Sequence, residues 1–333
     1  MRRLARERLI GLCFLVLVAG IAPASGTVRA VADGGRPADS LLYVTNQFDG
    51  TLSVVDTRTR KVIATVQVGS APSGVAVSPD GRLVYVADQD SGDLWLVDAR
   101  ARRAVAAVRV GGAPTAVAAS PDGRFAYVAG GGSNSVSVID VSARRATATV
   151  PVGTEPVGVA VSPDGRRAYT ADEGSNTVSV IDTRAGRVTA TVPVGSGPVG
   201  VAVSPDERSA YVVNEAAASL SVIDTRASRV VANVPVGVGP FGVAVGRGHA
   251  YVAGLGTATV PVVDTGTRRV VARIKDGTPG ITDPFAVAVG RDAIYVVNQG
   301  DGDVAVIDPA ANRVVATIPV GSTPYGIAVA PAR

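Results

Sequence analysis

Residues 158–182, GVAVSPDGRRAYTADEGSNTVSVID, alternate short apolar runs with clusters of turn-forming residues. GVAVS (158–162) and RRAYTAD (166–172) read as two strands joined through Pro-Asp-Gly. TVSVID (177–182) reads as a third strand and VTATVPV (188–194) as a fourth. Proline fixes φ, aspartate offers a local hydrogen bond and glycine accepts positive φ, so the joint is built as a tight turn. The same joint sets Ser162 beside Asp164, a pairing that also occurs in catalytic sites.

Repetition separates the two readings. The tyrosine of this unit recurs at Tyr43, Tyr85, Tyr127, Tyr169, Tyr211, Tyr251 and Tyr295, and the aspartate closing the third strand recurs seven times from Asp56 to Asp308. A proline opening P-x-G-V-A-V recurs at Pro72, Pro114, Pro156, Pro198, Pro240, Pro284 and Pro324. The spacing is 42 residues four times, followed by 40 and 44 in one order or the other. SPDG stands at 78–81, 120–123 and 162–165, with SPDE at 204–207. An active site needs one constellation in one place. Four copies spaced around a repeat are corners, and the strand-end aspartates are caps of the turns that follow.

Four strands in about 42 residues match a propeller blade and exclude leucine-rich and helical repeats. The ends are out of phase. Ordered sequence begins at Leu41 with a second strand, and YGIAVAPAR (325–333) supplies a first strand with no second after it. Pairing the two gives an all-β, seven-bladed propeller over 41–333, closed by the C-terminal strand in the N-terminal blade, with no sheet edge left open in the ring. YVTN (43–46) with SVVDTRTRKVIATVQVG (53–69) resembles the YVTN β-propeller repeat family, which includes surface-layer-type and YncE-like exported proteins. The resemblance spans 41–330 and implies an exported seven-bladed propeller without a shared reaction.

The first 24 residues read as a secretory signal peptide. MRRLARER is basic, the apolar run 9–22 is 14 residues long and Ala22-Pro23-Ala24 suits cleavage. That run is short of the ~20 residues a spanning helix needs, so no transmembrane span is expected in the mature chain. Residues 25–40 read as a flexible leader. Cys13, the chain's one cysteine, lies in the signal, which removes disulfides and thiol chemistry from the mature protein. The expected location is secreted, periplasmic or at the cell surface. Net charge is +4, but the signal accounts for +3 of it, so whole-molecule attraction to nucleic acid does not follow.

Alternating strand direction puts A–B and C–D turns on one face and B–C and D–A loops on the other, with A innermost. The C–D turns are basic, with Arg60, Lys61, Arg102, Arg103, Arg144 and Arg145 as candidates for an anionic surface. Nucleic acid is disfavoured because no aromatics interleave with them. The B–C loops read as acidic, including Asp88, Asp90, Asp93, Asp172, Glu173 and Glu215. Departures from the repeat point to function. The D–A loop 274–285 is four residues longer than its counterparts and carries Lys275, Asp276 and Asp283. The residue after the repeat proline is aromatic in three consecutive blades: Phe241, Phe285 and Tyr325. These six are the ligand-binding candidates, at the mouth of a central channel.

The favoured reading is a non-catalytic scaffold that binds a protein, a cell-envelope glycan or a small molecule through the B–C/D–A face, with no required cofactor. One alternative is a lactonase-like hydrolase or lyase with a carboxylate-held Ca²⁺ or Mg²⁺, for which Asp301 and Asp303 are the weak metal candidates. Another is polyanion binding through the basic turns. Propellers similar to haem-carrying cytochrome d1 domains need an axial ligand, and the sole histidine, His249, falls in an A–B hairpin on the opposite face.

Overall fold

The structure, a computed structural model, describes residues 41–275 and 280–331. These residues form seven antiparallel sheets of four strands each. Blade 4 shows the plan, with strands A to D at Pro156–Val161, Arg167–Asp172, Thr177–Asp182 and Arg187–Pro193. Strand A starts two residues earlier than its apolar run suggests, on the repeat proline. The first position of a strand tolerates the missing N–H. Blades 2, 3, 5, 6 and 7 repeat the plan from Pro72, Pro114, Pro198, Pro240 and Pro284.

Blade 1 is made from both ends of the chain. Strand A (Pro324–Val329) pairs with strand B (Leu41–Asn46) through Leu42↔Val329, Tyr43↔Ala328 and Val44↔Ile327. Each inner strand packs on the next around the whole ring, including blade 7 on blade 1 and blade 1 on blade 2. The signal peptide 1–24, the leader 25–40 and Asp276 lie outside the described residues. No helix among the described residues is long and apolar enough to cross a membrane.

The core lies between blades and is built from small β-branched side chains with one tyrosine per repeat. All seven motif tyrosines are buried. Burial pushes the Tyr85 phenol up to about 12 and raises Tyr127, Tyr169, Tyr211 and Tyr251 in the same direction. The glycine of P-x-G has a packing reason. A Cβ on Gly158 would lie 2.5 Å from the Val199 carbonyl oxygen of the next inner strand, and one on Gly326 would lie 2.5 Å from that of Ser73. Close approach of neighbouring inner strands favours glycine there.

Both recurrent carboxylate motifs serve the backbone. The Ser162 hydroxyl donates to Asp164 Oδ1 at 2.6 Å and accepts from the Arg167 N–H at 3.0 Å, while the Arg166 N–H donates to Asp164 at 3.0 Å. Ser78, Ser120 and Ser204 make the same corner. At the C–D turns, Asp56 Oδ1 accepts from the N–H groups of Arg58 and Thr59, both at 2.9 Å. Asp98, Asp182 and Asp224 each accept two turn N–H groups in the same way. Turn hydrogen bonds hold the Asp140, Asp224 and Asp264 carboxyls below the usual range, led by Ala143 N–H at Asp140, Ala227 N–H at Asp224 and the Thr267 hydroxyl at Asp264.

Candidate functional site: the mouth of the central channel

The residue after each repeat proline is placed by a bulge that periodicity does not reveal. In blade 4 the register runs Pro156↔Asp172, then Gly158↔Ala171, so Val157 is an extra residue without a partner on strand B. Blades 3, 5 and 7 show the same slip at Thr115, Val199 and Phe285. Register also shifts across Phe241 in blade 6 and beside Tyr325 in blade 1. A bulge re-aims one side chain while the strand on either side stays paired. Small polar residues there turn back into the ring. Ser73 Oγ donates to the Pro114 carbonyl of the next blade at 3.1 Å, and Thr115 Oγ1 to the Pro156 carbonyl at 3.1 Å.

The aromatic residues turn to the channel. Phe241 and Phe285 stack with centroids 4.0 Å apart, Phe285 and Tyr325 lie 4.4 Å apart at 52°, and Phe241 meets Tyr325 edge-on at 6.3 Å. The structure therefore brings together the three residues that the repeat comparison singled out. They form one wall of a channel of about 190 Å³, whose remaining walls are backbone, Val75, Val117, Val159, Val201 and their equivalents. Phe285 is 8% exposed and packs into the core between blades 7 and 1. Phe241 and Tyr325 are half-buried.

The other candidates separate from this wall. Lys275 ends the outermost strand of blade 6 (Arg269–Lys275) and does not line the channel. Asp283 is exposed, sits at φ 46° before Pro284, and its carbonyl accepts the Gln299 N–H at 3.1 Å. Asp301 accepts from the Thr282 hydroxyl. Asp303 is half-buried and takes a 2.8 Å hydrogen bond from Asn298 Nδ2, with burial raising its pKa. Among the described residues no three His, Cys, Asp or Glu side chains gather where they could hold a metal ion. His249 stands in the blade 6 A–B hairpin, with Nδ1 3.0 Å from the Arg247 carbonyl.

Two of the aspartates expected on the acidic loops are not loop charges. Asp88 and Asp172 end strand B and are fully buried. Asp88 clamps the preceding D–A loop by accepting the Ser70 and Ala71 N–H groups at 3.0 and 2.8 Å. Asn46 and Asn298 do the same toward Gly321 and Thr282, which explains the N/D that ends the motif. Asp172 takes a 2.7 Å hydrogen bond from Ser179 Oγ on Oδ2, while Oδ1 has no hydrogen-bond partner among the described residues, and burial raises its pKa.

The two faces carry opposite charge. Of the twenty-five Lys and Arg between 41 and 331, twenty-two lie on A–B and C–D turns, and the exceptions are Arg109, Arg273 and Lys275. Arg60, Lys61, Arg102, Arg103, Arg144 and Arg145 are all exposed and make no ion pair within 4.0 Å among the described residues. Sequence reasoning passed over Phe48, which stands 80% exposed in the blade 1 B–C loop. Its signal was available: an aromatic within a turn segment, NQFDG, in a chain with five phenylalanines.

Comparison with known proteins places this geometry. The YncE-like β-propeller family matches residues 64–252. No curated protein sequence matches the chain. Among solved structures, hydrazine synthase of Kuenenia stuttgartiensis is 24% identical with a TM-score of 0.72, covering 78% of this chain and 90% of that one. A functionally unknown protein from Desulfotomaculum acetoxidans DSM 771 is 19% identical with a TM-score of 0.78, covering 88% and 100%. The dihydro-haem d1 dehydrogenase NirN, in complex with DHE, is 19% identical with a TM-score of 0.63, covering 90% and 77%. At these identities the likeness is one of fold alone. The family match spans more than half of the chain, and the protein belongs to the YncE-like β-propeller family.

Proposed function

We propose that the protein is an exported, non-catalytic scaffold that holds a protein or a cell-envelope glycan against its B–C/D–A face. The observation that carries this reading is the concentration of unshared aromatic surface there. Phe48 stands exposed and Phe241 and Tyr325 are half-buried beside the buried Phe285, and the four belong to three consecutive blades, 6, 7 and 1. Exposed aromatics anchor interfaces because they bury much area at low entropic cost. The test is retention of the chain from residue 25 onward on sedimented cell envelope. Phe48→Ser alone, and Phe241→Ala/Phe285→Ala/Tyr325→Ala together, should each lower recovery about tenfold or more, the scale of a lost anchor. Recovery equal to wild type in both sinks the reading.

The charge polarity favours a second reading, in which the basic face rests on an anionic envelope polymer. Retention on an immobilised polyanion would then fall with salt. Arg102→Ser/Arg103→Ser would elute earlier than wild type, and unchanged elution counts against it.

A further inference from the structure

The seam between two neighbouring blades differs around the A–B/C–D face. Between blades 4 and 5 an arginine fills it. Arg167 begins strand B of blade 4, and its Nη1 donates to the Thr225 carbonyl at the C–D turn of blade 5. The position of Arg167 is taken in blade 2 by Leu83, and that of Thr225 is taken in blade 3 by Val141. Leucine is shorter than arginine and has no donor to offer a carbonyl across the seam. A groove of about 420 Å³ lies between blades 2 and 3, and both Leu83 and Val141 line it.

The floor of the groove is apolar. Leu83, Leu96 and Val105 come from strands B, C and D of blade 2, and Val141 from the C–D turn of blade 3. Leu96 is buried and the other three are half-buried. Val141 departs from the repeat. Blades 4 and 6 carry threonine there, and its hydroxyl donates to the Gly165 carbonyl at 2.6 Å and to the Gly248 carbonyl at 2.9 Å. The rim is basic, with Arg124 and Arg144 both exposed. In the corners of blades 2 and 4 the matching arginine pairs with its aspartate, Arg82 with Asp80 at 3.6 Å and Arg166 with Asp164 at 3.8 Å. Arg124 makes no ion pair within 4.0 Å among the described residues, and its guanidinium stands 5.3 Å over the Phe125 ring.

Among the described residues that line the groove, the one carboxylate is Asp140. Its Oδ1 accepts the Ser142 hydroxyl at 2.7 Å and the Ala143 N–H at 2.8 Å. Two guanidinium groups therefore stand against one carboxylate that the turn already engages, and the lining carries net positive charge. The volume falls within the ~300–1,000 Å³ of small-molecule sites, which join an apolar lining to a few placed polar groups. Independently of the B–C/D–A face, we propose that this groove binds a small aliphatic carboxylate. Its chain lies on Leu83, Leu96, Val105 and Val141. Its carboxylate lies between Arg124 and Arg144, whose planar guanidinium groups match carboxylate geometry.

The test titrates the full chain with octanoate, hexanoate, octan-1-ol and inorganic phosphate by calorimetry or NMR. Octanoate should saturate in the millimolar range. Each methylene removed should weaken binding by up to about fourfold, the scale of burying a CH₂, and phosphate should not compete. Octan-1-ol should bind more weakly than octanoate by about threefold or more. Arg124→Gln should weaken octanoate about threefold, the scale of an exposed ion pair. Arg144→Asn should do the same, and asparagine fits that turn because Asn312 holds the matching position at φ 50°, beside 51° for Arg144. Leu83→Arg should abolish binding by filling the seam as Arg167 does, while Arg82→Gln, outside the groove, should leave it unchanged. Melting curves on each variant check the fold. Absence of saturable octanoate binding, equal affinity for octan-1-ol, or a Kd unchanged in both Arg124→Gln and Arg144→Asn overturns the site. Retention on a polyanion that depends on these two arginines, with octanoate failing to bind, assigns them to a polymer-binding face and also overturns it.

Discussion

The two faces of the disc share one backbone plan and use their side chains differently. On the A–B/C–D face, Ser162 and Asp164 bond to each other and to the turn that holds them, and Asp56 closes on the two N–H groups beyond it. The same residues return blade after blade because the same turn must be made each time. On the B–C/D–A face the backbone bonds also repeat, from Gln47 to Thr323 and from Glu173 to Glu155. The side chains there do not, with Phe48, Glu173 and Leu255 standing where the turn makes no demand on identity. In a repeat protein, recurrence marks what the fold needs, and divergence at a fixed position marks where another molecule can be selected for.

The largest expected effect comes from removing what both faces depend on. Deleting residues 325–333 takes the inner strand from blade 1, with Tyr325, Ile327 and Val329 and their pairing to Leu41–Asn46. Burial of such side chains contributes about 1.5–3 kcal/mol each. A loss on the order of 5 kcal/mol should lower the melting temperature by about 10 °C or more. An unchanged melting curve contradicts ring closure.

Asp172→Asn should act in the opposite direction. Its pKa is raised in the folded chain, so the fold favours the protonated acid. Its contribution is full at acid pH, below the ordinary carboxyl value, and is lost as pH rises through the folded value. At pH 7 the asparagine variant should therefore be more stable, by about 1–3 kcal/mol for relieving a poorly satisfied buried group. The two curves should converge toward pH 3. Asn46 shows the replacement fits, donating from Nδ2 to Thr51 and Ser53 at 2.9 Å, the equivalents of Thr177 and Ser179. Greater wild-type stability at pH 7 would contradict this.

The smallest pair sharpens the contrast between faces. Ser162→Ala breaks a buried corner and should cost about 1 kcal/mol in denaturant titration. Phe48→Ser, on an 80% exposed side chain, should stay within about 0.5 kcal/mol. Equal costs would mean that Phe48 supports the fold.

The blade count, the closure and the corner at Ser162 were legible because Tyr, Pro and Asp mark the same phase seven times. The aromatic wall was legible as a departure from that phase. The aim of each side chain at the mouth was not, because it depends on the bulge after each proline, which turns Ser73 inward to a carbonyl and Phe241 toward the channel. Alternation along a strand carries no record of an extra residue. Asp88 and Asp172 were misread as loop charges for a related reason. Acidic residues next to glycine and serine resemble exposed turns, whereas here both end a buried strand, and Asp88 clamps the loop before it.

The chain offers its own reporters for the central claim, having two lysines, both exposed, one on each face. Lys61 begins the outer strand of blade 1 on the C–D side, and Lys275 ends that of blade 6 on the D–A side. Amine acetylation read by mass spectrometry, with and without cell envelope, should find Lys275 shielded in the complex and Lys61 as reactive as before. Shielding of Lys61 with Lys275 left reactive would place the partner on the basic face and contradict the account.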